Sequence, residues 1–527
     1  MFSPLPRTQV SRWSAFSRTL PRALGLLVPW LLVAACGQDD AGTSTDAGLH
    51  ADGATDGESD AASTDGGYGD AEFDVFEGAT DAVEGAVPDG PIEDVAGSEG
   101  GDAAVPEAFC PAGGIDGRLR VASVYWAVSP AYGDHYAATV GGFNAVHVSP
   151  ESIPNITADG PAWIVDVMWW LFDVPGQVAS NVEDRLDVLE ATLAGKESRV
   201  LAFYVYDEPY LNAHATSRTT LEQGIAALKA WYPAIPTYLT FAHHCFDPSA
   251  PTDPACDVLP AASRGVPSNV DWVAFDWYTD GACGGATDVA AGFDCAVVGG
   301  VARMKALTSA SILIVPEAFD MFLDEAHVLV AMHLAHGLAL SEPRIHGLDY
   351  FLYATVPNEF RGLADMPLAR TTVRALNREI LTACGEPSDG LVPVFEWWHA
   401  GTNERDYRGG YWSGWRAAEY DPQGVRFGLR ASAEPGTVPM YRCDVAHGAG
   451  VDHGFLTVMS DCEGMQTTSP PTIIGHVDGA QKAGLAPLRR FLGPAPGNDH
   501  YYTTGTAGPP GYVLQGVVGY VTPGSSL

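Results

Sequence analysis

Asp207-Glu208, two adjacent carboxylates followed by Pro209, is the place in this chain where residue type and spacing could do chemistry. The pair closes an apolar run, Val200 to Tyr206, that is rich in Val, Phe and Tyr and reads as a buried strand. Carboxylates at the end of a buried strand are costly unless something uses or satisfies them. Pro209 cannot donate to a strand ladder, so the strand stops there and leaves the pair at its rim. A further carboxylate, Glu317, ends another apolar run that begins at Ile312, and it lies between Pro316 and Phe319. Two carboxyl groups in different environments divide into an acid that keeps its proton and a base or nucleophile that has lost it. Glu208, crowded by Asp207 and by burial, is expected to keep its proton. Glu317 is then the candidate nucleophile. The plainer alternative makes both of them rim carboxylates bonded to arginine or backbone.

Elements that would position these groups recur from Cys110 to Cys384. Apolar runs read as strands at Arg118–Val128, Phe143–Val148, Trp163–Phe172 and Val200–Tyr206, then at Thr237–His243, Val270–Tyr278, Ile312–Phe319 and Ile345–Thr355. Helical patterns fall near Val182–Leu193, Thr220–Trp231, Asp324–Leu338 and Pro367–Thr382. Strands mostly separated by helices predict an α/β fold, a (β/α)8 TIM barrel over residues 108–385, with catalytic groups at strand ends. A doubly wound sheet would more often bring a Gly-rich phosphate loop after the first strand, and none is visible. No cofactor is implied.

By strand count, Glu208 ends the fourth strand and Glu317 the seventh. This resembles glycoside hydrolase clan A, whose acid/base Glu follows strand four and whose nucleophile Glu follows strand seven. The clan commonly has Asn-Glu-Pro where this chain has Asp207-Glu208-Pro209, so Asp207 would accept a bond from a sugar hydroxyl rather than donate one. The resemblance implies a carbohydrate substrate and a retaining mechanism. It places Tyr278, which ends strand six, against the nucleophile. Trp126, Trp169 and Trp170 offer flat faces for sugar rings, though such residues are at least as often core. His243 and His244 end strand five without a third metal ligand, so hydrogen bonding to a hydroxyl, or a plain structural role, is expected of them and no metal site is implied. Asp276 and Asp349 lie on strands six and eight, and one of them is expected to be a buried partner for Arg344 or Arg361.

The amino terminus reads as an export signal. Arg7, Arg12, Arg18 and Arg22 precede an apolar stretch, Ala23 to Val33, too short to span a bilayer comfortably. Val33-Ala34-Ala35-Cys36 resembles a bacterial lipobox. That resemblance implies residues 1–36 as a lipoprotein signal, Cys36 as the lipidated residue, and an anchor in the cell envelope at the outer membrane. The plainer alternative is an ordinary secretory signal. Residues 37–107 are rich in Asp, Gly, Ala, Ser and Thr, and no Lys or Arg occurs between Gly37 and Pro106. Such a segment cannot bury enough surface to fold and is expected to be a disordered acidic tether. It carries much of the formal charge of −37, which argues against nucleic-acid partners. A monomer is expected. Apart from Cys36, eight cysteines remain, an even number that suggests disulfides in an exported chain. Sequence does not determine connectivity. Local spacing favours Cys245–Cys256, Cys283–Cys295 and Cys443–Cys462, leaving Cys110–Cys384 to clasp the two ends of a domain.

After Gly385 helical periodicity vanishes. Val392-Pro393-Val394-Phe395, Val438-Pro439-Met440-Tyr441 and Ala486-Pro487-Leu488-Arg489 recur at similar spacing, each followed by a polar turn and an aromatic. The turns contain Glu404-Arg405, Asp452-His453 and Asp499-His500. Threefold repetition with β character predicts a β-trefoil-like domain over residues 386–527. Its third unit resembles a family of secreted repeats of uncertain role. Trp397, Trp398, Trp412 and Trp415 are expected to be exposed and able to stack on sugar.

Overall fold

The computed structural model describes residues 109–527 apart from 131–132, 158, 174–175, 212–215, 243–244, 248–258, 279–288, 321–323, 357–359, 448–450 and 495–498. Cys36, the export signal and the acidic segment therefore lie outside the described residues, as do His243, Cys256 and Cys283.

The first half is an α/β domain built on eight parallel strands: β1 (Val121–Val124), β2 (Ala145–Val148), β3 (Ala162–Asp166), β4 (Val200–Asp207), β5 (Thr237–Ala242), β6 (Trp272–Trp277), β7 (Ser311–Pro316) and β8 (Ile345–Tyr350). They follow one another as β2-β3-β4-β5-β6-β7-β8-β1, and two short strands, Val128–Ser129 and Gly133–Asp134, extend the sheet beside β2. β1 is in parallel register with β8, from Val121↔Gly347 to Val124↔Tyr350. On its other side Asn144 ties β1 to the start of β2. The Asn144 N–H donates to Ala122 O at 3.0 Å, the Ala122 N–H donates to Asn144 Oδ1 at 2.8 Å, and Asn144 Nδ2 donates to Arg120 O at 2.7 Å.

Alternation sorts each strand between two apolar clusters. Val121, Ala145, Ile164, Tyr204, Tyr238, Trp272, Ala274, Leu313 and Val315 pack together on the inner face. Val124, Val146, Val165, Phe203, Phe241, Phe275 and Ile314 pack outward, among residues of the helices. Those helices include α1 (Val182–Leu193), α2 (Arg218–Trp231), α3 (Gly299–Leu307), α4 (Glu325–Ser341) and α5 (Pro367–Ala383). Their starts are legible. Ser217 Oγ accepts the Thr220 N–H at 3.2 Å to cap α2, the Asp324 carboxylate accepts the His327 N–H at 3.2 Å to cap α4, and Pro367 opens α5.

Most strands are shorter than the sequence predicts, and three of them stop four or more residues early. β1 ends at Val124, and Trp126 has a left-handed φ of 49°, which breaks the run. β3 ends at Asp166, whose carboxylate accepts the Met168 N–H at 3.1 Å and turns the chain into a short helix, Met168–Leu171. Its apolar sequence cannot distinguish that helix from a strand. β8 stops at Tyr350.

The second half is all antiparallel: β9 (Leu391–His399), β10 (Glu404–Gly409), β11 (Asp421–Arg430), β12 (Thr437–His447), β13 (Val451–Thr457), β14 (Thr472–Asp478), β15 (Ala486–Leu492), β16 (His500–Thr503) and β17 (Val513–Pro523). Each sequence repeat forms a hairpin and a third strand, and the third strands pair with one another at Arg430↔His476, Phe427↔Pro523 and Asp478↔Tyr520. Val394, Tyr407, Phe427, Leu429, Met440, Leu456, Val477, Leu488, Tyr502 and Val521 fill its core.

Disulfides Cys110–Cys384 and Cys443–Cys462 form as expected. Cys245 and Cys295 are oxidised as well. Among the described residues no helix is long and apolar enough to cross a membrane.

Candidate active site

β4 delivers the two carboxylates to its end. Asp207 closes the strand and receives a hydrogen bond from the Tyr204 hydroxyl at 2.7 Å. Glu208 follows with a left-handed φ of 44°, and its N–H is held by Thr240 O of β5 at 3.0 Å. A non-glycine residue in that region costs of order 1 kcal/mol, and the backbone here holds it against that cost. Both side chains are partly exposed. The Glu208 carboxyl is hydrogen-bonded to Asp276 of β6, a buried residue at 4% exposure. Tyr278 donates to Asp276 Oδ2 at 3.2 Å.

The electrostatics follow from this crowding. Burial, then the charges of Asp276 and Asp207, push the Glu208 carboxyl well above the usual range for a carboxylate. Burial, with Asp207 beside it, raises Asp276 to about 7. Hydrogen bonds from Glu208 and Tyr278 pull Asp276 the other way. Glu208 is thus the donor of the pair and Asp276 the acceptor. Asp166, at the end of β3, is raised to about 6, chiefly by burial.

Glu317 follows Pro316 at the end of β7, is fully buried, and is bridged in parallel to Phe351. It shares the parity of Leu313 and Val315 and so lies on the inner face. Trp277 is level with Pro316 in the β6–β7 register, so Tyr278 and Glu317 are the next residues of adjacent strands. Aromatic rings surround them. Tyr278 meets Phe319 at 5.1 Å and Phe351 at 5.5 Å, and Trp126 meets Phe351 at 5.2 Å.

Deeper on the inner face lies a polar layer that no local sequence pattern assembles. Asp349, with no exposed surface, accepts from Ser123 Oγ at 2.7 Å and from the Tyr238 hydroxyl at 2.8 Å, and lies 2.8 Å from His147 Nε2. Tyr125 stacks on His147 at 3.8 Å, and its hydroxyl is 2.7 Å from Thr240 Oγ1. Burial raises the hydroxyls of Tyr125, Tyr204 and Tyr238 far above the ordinary phenol value.

The structure therefore brings together Asp207, Glu208, Tyr278 and Asp276, and sets Glu317 and Trp126 around the same aromatic group. It does not bring in Trp170, which is half-buried against the cluster outside the sheet. Asp276 and Asp349 do not pair with Arg344 or Arg361 as expected. Arg344 Nη2 donates to Thr308 O and Ala310 O at 3.0 and 2.8 Å, and Arg361 pairs with Asp320. Strand parity points both aspartates inward, away from the cations, and would have shown it: Asp276 lies two residues from Ala274 and four from Trp272. Among the described residues no group of three or more His, Cys, Asp or Glu is arranged to hold a metal.

The tryptophans after Gly385 depart from expectation. Trp397 and Trp415 are buried, at 0% and 4% exposure, and Trp398 and Trp412 are partly buried. Trp397 and Trp412 lie 5.6 Å apart, Trp397 and Trp415 5.9 Å, and His333 of α4 meets Trp397 at 5.1 Å. Trp397, Trp412 and Trp415 are consumed in the contact with the α/β domain, where large apolar area is best hidden. Asp499 accepts from the Arg405 N–H at 3.1 Å and from Arg405 Nη1 at 2.9 Å, which ties the first repeat to the third. His453 and His500 meet at 3.3 Å, and burial lowers His500 to about 3.

No protein-family model matches the sequence, and no curated protein matches it. Solved structures similar to the chain are glycoside hydrolases. A GH128 subgroup I endo-β-1,3-glucanase from Amycolatopsis mediterranei, in complex with laminarihexaose, is 15% identical over 44% of this chain and 88% of its own, with a TM-score of 0.30. A glucosidase from Croceicoccus marinus is 11% identical over 51% of this chain and 69% of its own, at a TM-score of 0.35. A GH128 subgroup II endo-β-1,3-glucanase from Sorangium cellulosum is 14% identical over 45% of this chain and 89% of its own, at 0.32. Identities and TM-scores this low do not determine an activity.

Proposed function

We propose that this chain is an exported, lipid-anchored glycoside hydrolase acting on a polysaccharide or glycoconjugate. In this reading the sheet is a closed (β/α)8 barrel, which the Asn144 stitching of β1 to β2 supports, followed by a β-trefoil-like domain in a structural role. The observation that carries the activity is the Glu208 carboxyl, proton-holding and hydrogen-bonded to Asp276 at the end of β4, on the face that also receives Glu317.

In the first half-reaction the Glu208 proton passes to the glycosidic oxygen, which leaves with the electron pair of its bond to the anomeric carbon. The Glu317 carboxylate bonds that carbon. In the second half, water attacks the carbon, its proton returns to Glu208, and Glu317 is released. Asp207 receives a sugar hydroxyl, and Trp126 and Tyr278 offer ring faces. Carboxyl groups about 5–5.5 Å apart in a complex would mean retention, and roughly 6.5–9.5 Å inversion. The competing reading, a surface protein that binds glycan without cleaving it, is favoured by the complete burial of Glu317.

A broad panel of aryl glycosides, assayed with purified protein from residue 108 onward, separates the two. Turnover of any member that disappears in Glu317→Gln supports hydrolysis. Glycan binding with no turnover across the panel supports the competing reading.

A further inference from the structure

Asp276 reads from the sequence as a bystander, yet it is the group that touches Glu208. Its surroundings are unusual for a carboxylate. It is buried at 4% exposure, on the inner face of β6, with one oxygen receiving the Tyr278 hydroxyl at 3.2 Å and a hydrogen bond from Glu208. A buried carboxylate that needs only to be satisfied is paired with a cation or with hydroxyl donors, as Asp349 is by Ser123 and Tyr238. This one is paired with an acid, which has a different physical effect. Its negative charge stabilises the protonated form of its neighbour and fixes which way that neighbour's hydrogen points.

We propose that Asp276 is a positioning residue: through its hydrogen bond it keeps the Glu208 proton in place between turnovers, and Tyr278 sets how strongly it does so. This rests on the hydrolase reading above for its role in turnover, but not for the pairing itself. The two carboxyls titrate as one unit. When Glu208 gives up its proton, the negative charge on Asp276 makes Glu208 a stronger base for the water that follows, so one neighbour serves both halves of the cycle. Among the described residues, the titratable groups around the pair are Asp207 beside Glu208, Tyr278 beside Asp276, and Tyr204 and Asp166 on the far side of Asp207. The charge of Asp207 favours retention of the proton on both carboxyls, whereas the Tyr278 hydrogen bond favours the ionised form of Asp276.

Two variants should move the titration in opposite directions. Asp276→Asn removes the charge that holds the proton, so the pH at which Glu208 ionises should fall by about one unit or more. Tyr278→Phe removes a bond to the ionised form of Asp276, so the pair should hold its proton to higher pH. The readout is the pH dependence of the protonated-carboxyl infrared band, identified as the band lost in Glu208→Gln, on the full chain. Where a substrate is turned over, the alkaline limb of kcat/KM should move with it. A Glu208 band that titrates at the wild-type pH in Asp276→Asn would overturn the proposal, even if activity were lost. If Asp276→Asn does not fold, an unmoved band in Tyr278→Phe overturns it equally. Absence of all glycoside turnover would sink the hydrolase reading alone, because the infrared titration needs no substrate.

Discussion

Glu208 and Asp276 show what a second carboxylate does to a buried one. Neither can ionise without meeting its neighbour's charge in a poorly solvated place, so the pair keeps a proton that a lone surface carboxylate would lose. This has a cost for the fold. Asp276, raised from 3.8 to about 7, binds a proton in the folded chain where the unfolded chain does not. The unfolded state therefore holds fewer protons between about pH 4 and pH 7, and stability should fall as pH rises through that window. Asp276→Asn should flatten the dependence, read from urea unfolding at pH 5 and pH 8. If the hydrolase reading holds, Glu208 and Glu317 should separate by substrate. Glu317→Gln should lower turnover about a thousandfold or more on every glycoside, because the nucleophile has no substitute. Glu208→Gln should spare the first step for activated aryl leaving groups, which need little protonation. Burst kinetics on a nitrophenyl glycoside would reveal a sound first step and a failed second. A uniform loss across leaving groups would remove Glu208 from the acid role.

The element that most depends on its partner is α4. Gly337 lies inside this helix, where glycine ordinarily costs about 1 kcal/mol relative to alanine. A methyl group there would collide with the Tyr411 hydroxyl, which donates to His333 O of the same helix at 3.2 Å. The glycine is what lets the loop after β10 lie against the helix. Gly337→Ala should therefore destabilise the protein by about 1–3 kcal/mol, against the sign that helix propensity alone predicts. Tyr411→Phe in the same background removes the colliding atom and should recover most of the loss. Thermal unfolding of the two single variants and the double checks this. If the double variant is no more stable than Gly337→Ala alone, the contact is not the reason for the glycine.

On the scale of the whole chain, covalent links decide how the parts stay together. Cys110 and Cys384 join residues separated by 274 positions, just before β1 and just after α5. In the chain-entropy model a loop of that length is worth about 4–5 kcal/mol at most. Cys110→Ser with Cys384→Ser should lower the unfolding midpoint while leaving Cys443–Cys462 formed, as peptide mapping without reduction would show. An unchanged midpoint would mean that the unfolded chain is already held by other means. If Cys36 carries the proposed lipid, Cys36→Ser should move the protein from membranes to the soluble fraction. Wild-type protein already soluble, with a different first residue, would refute the lipobox reading.

The eight-strand α/β order is legible in the sequence because buried parallel strands are continuous apolar runs and the helices between them carry a separate period. The long disulfide is legible by elimination among short spacings, and the threefold repeat because its turns recur. Glu208 is legible because Pro209 ends its strand. What the sequence could not supply is which groups face one another across strands far apart in the chain. Asp276 and Glu208 are separated by all of β5 and α2, so no local pattern could pair them. Asp349 with His147 spans nearly the whole domain. Trp397 and Trp415 look like surface platforms in any local reading, since composition does not reveal that packing against the α/β domain will bury them. Burial of that kind is a property of the packed molecule, and it decides both where the rings lie and which carboxyl keeps its proton.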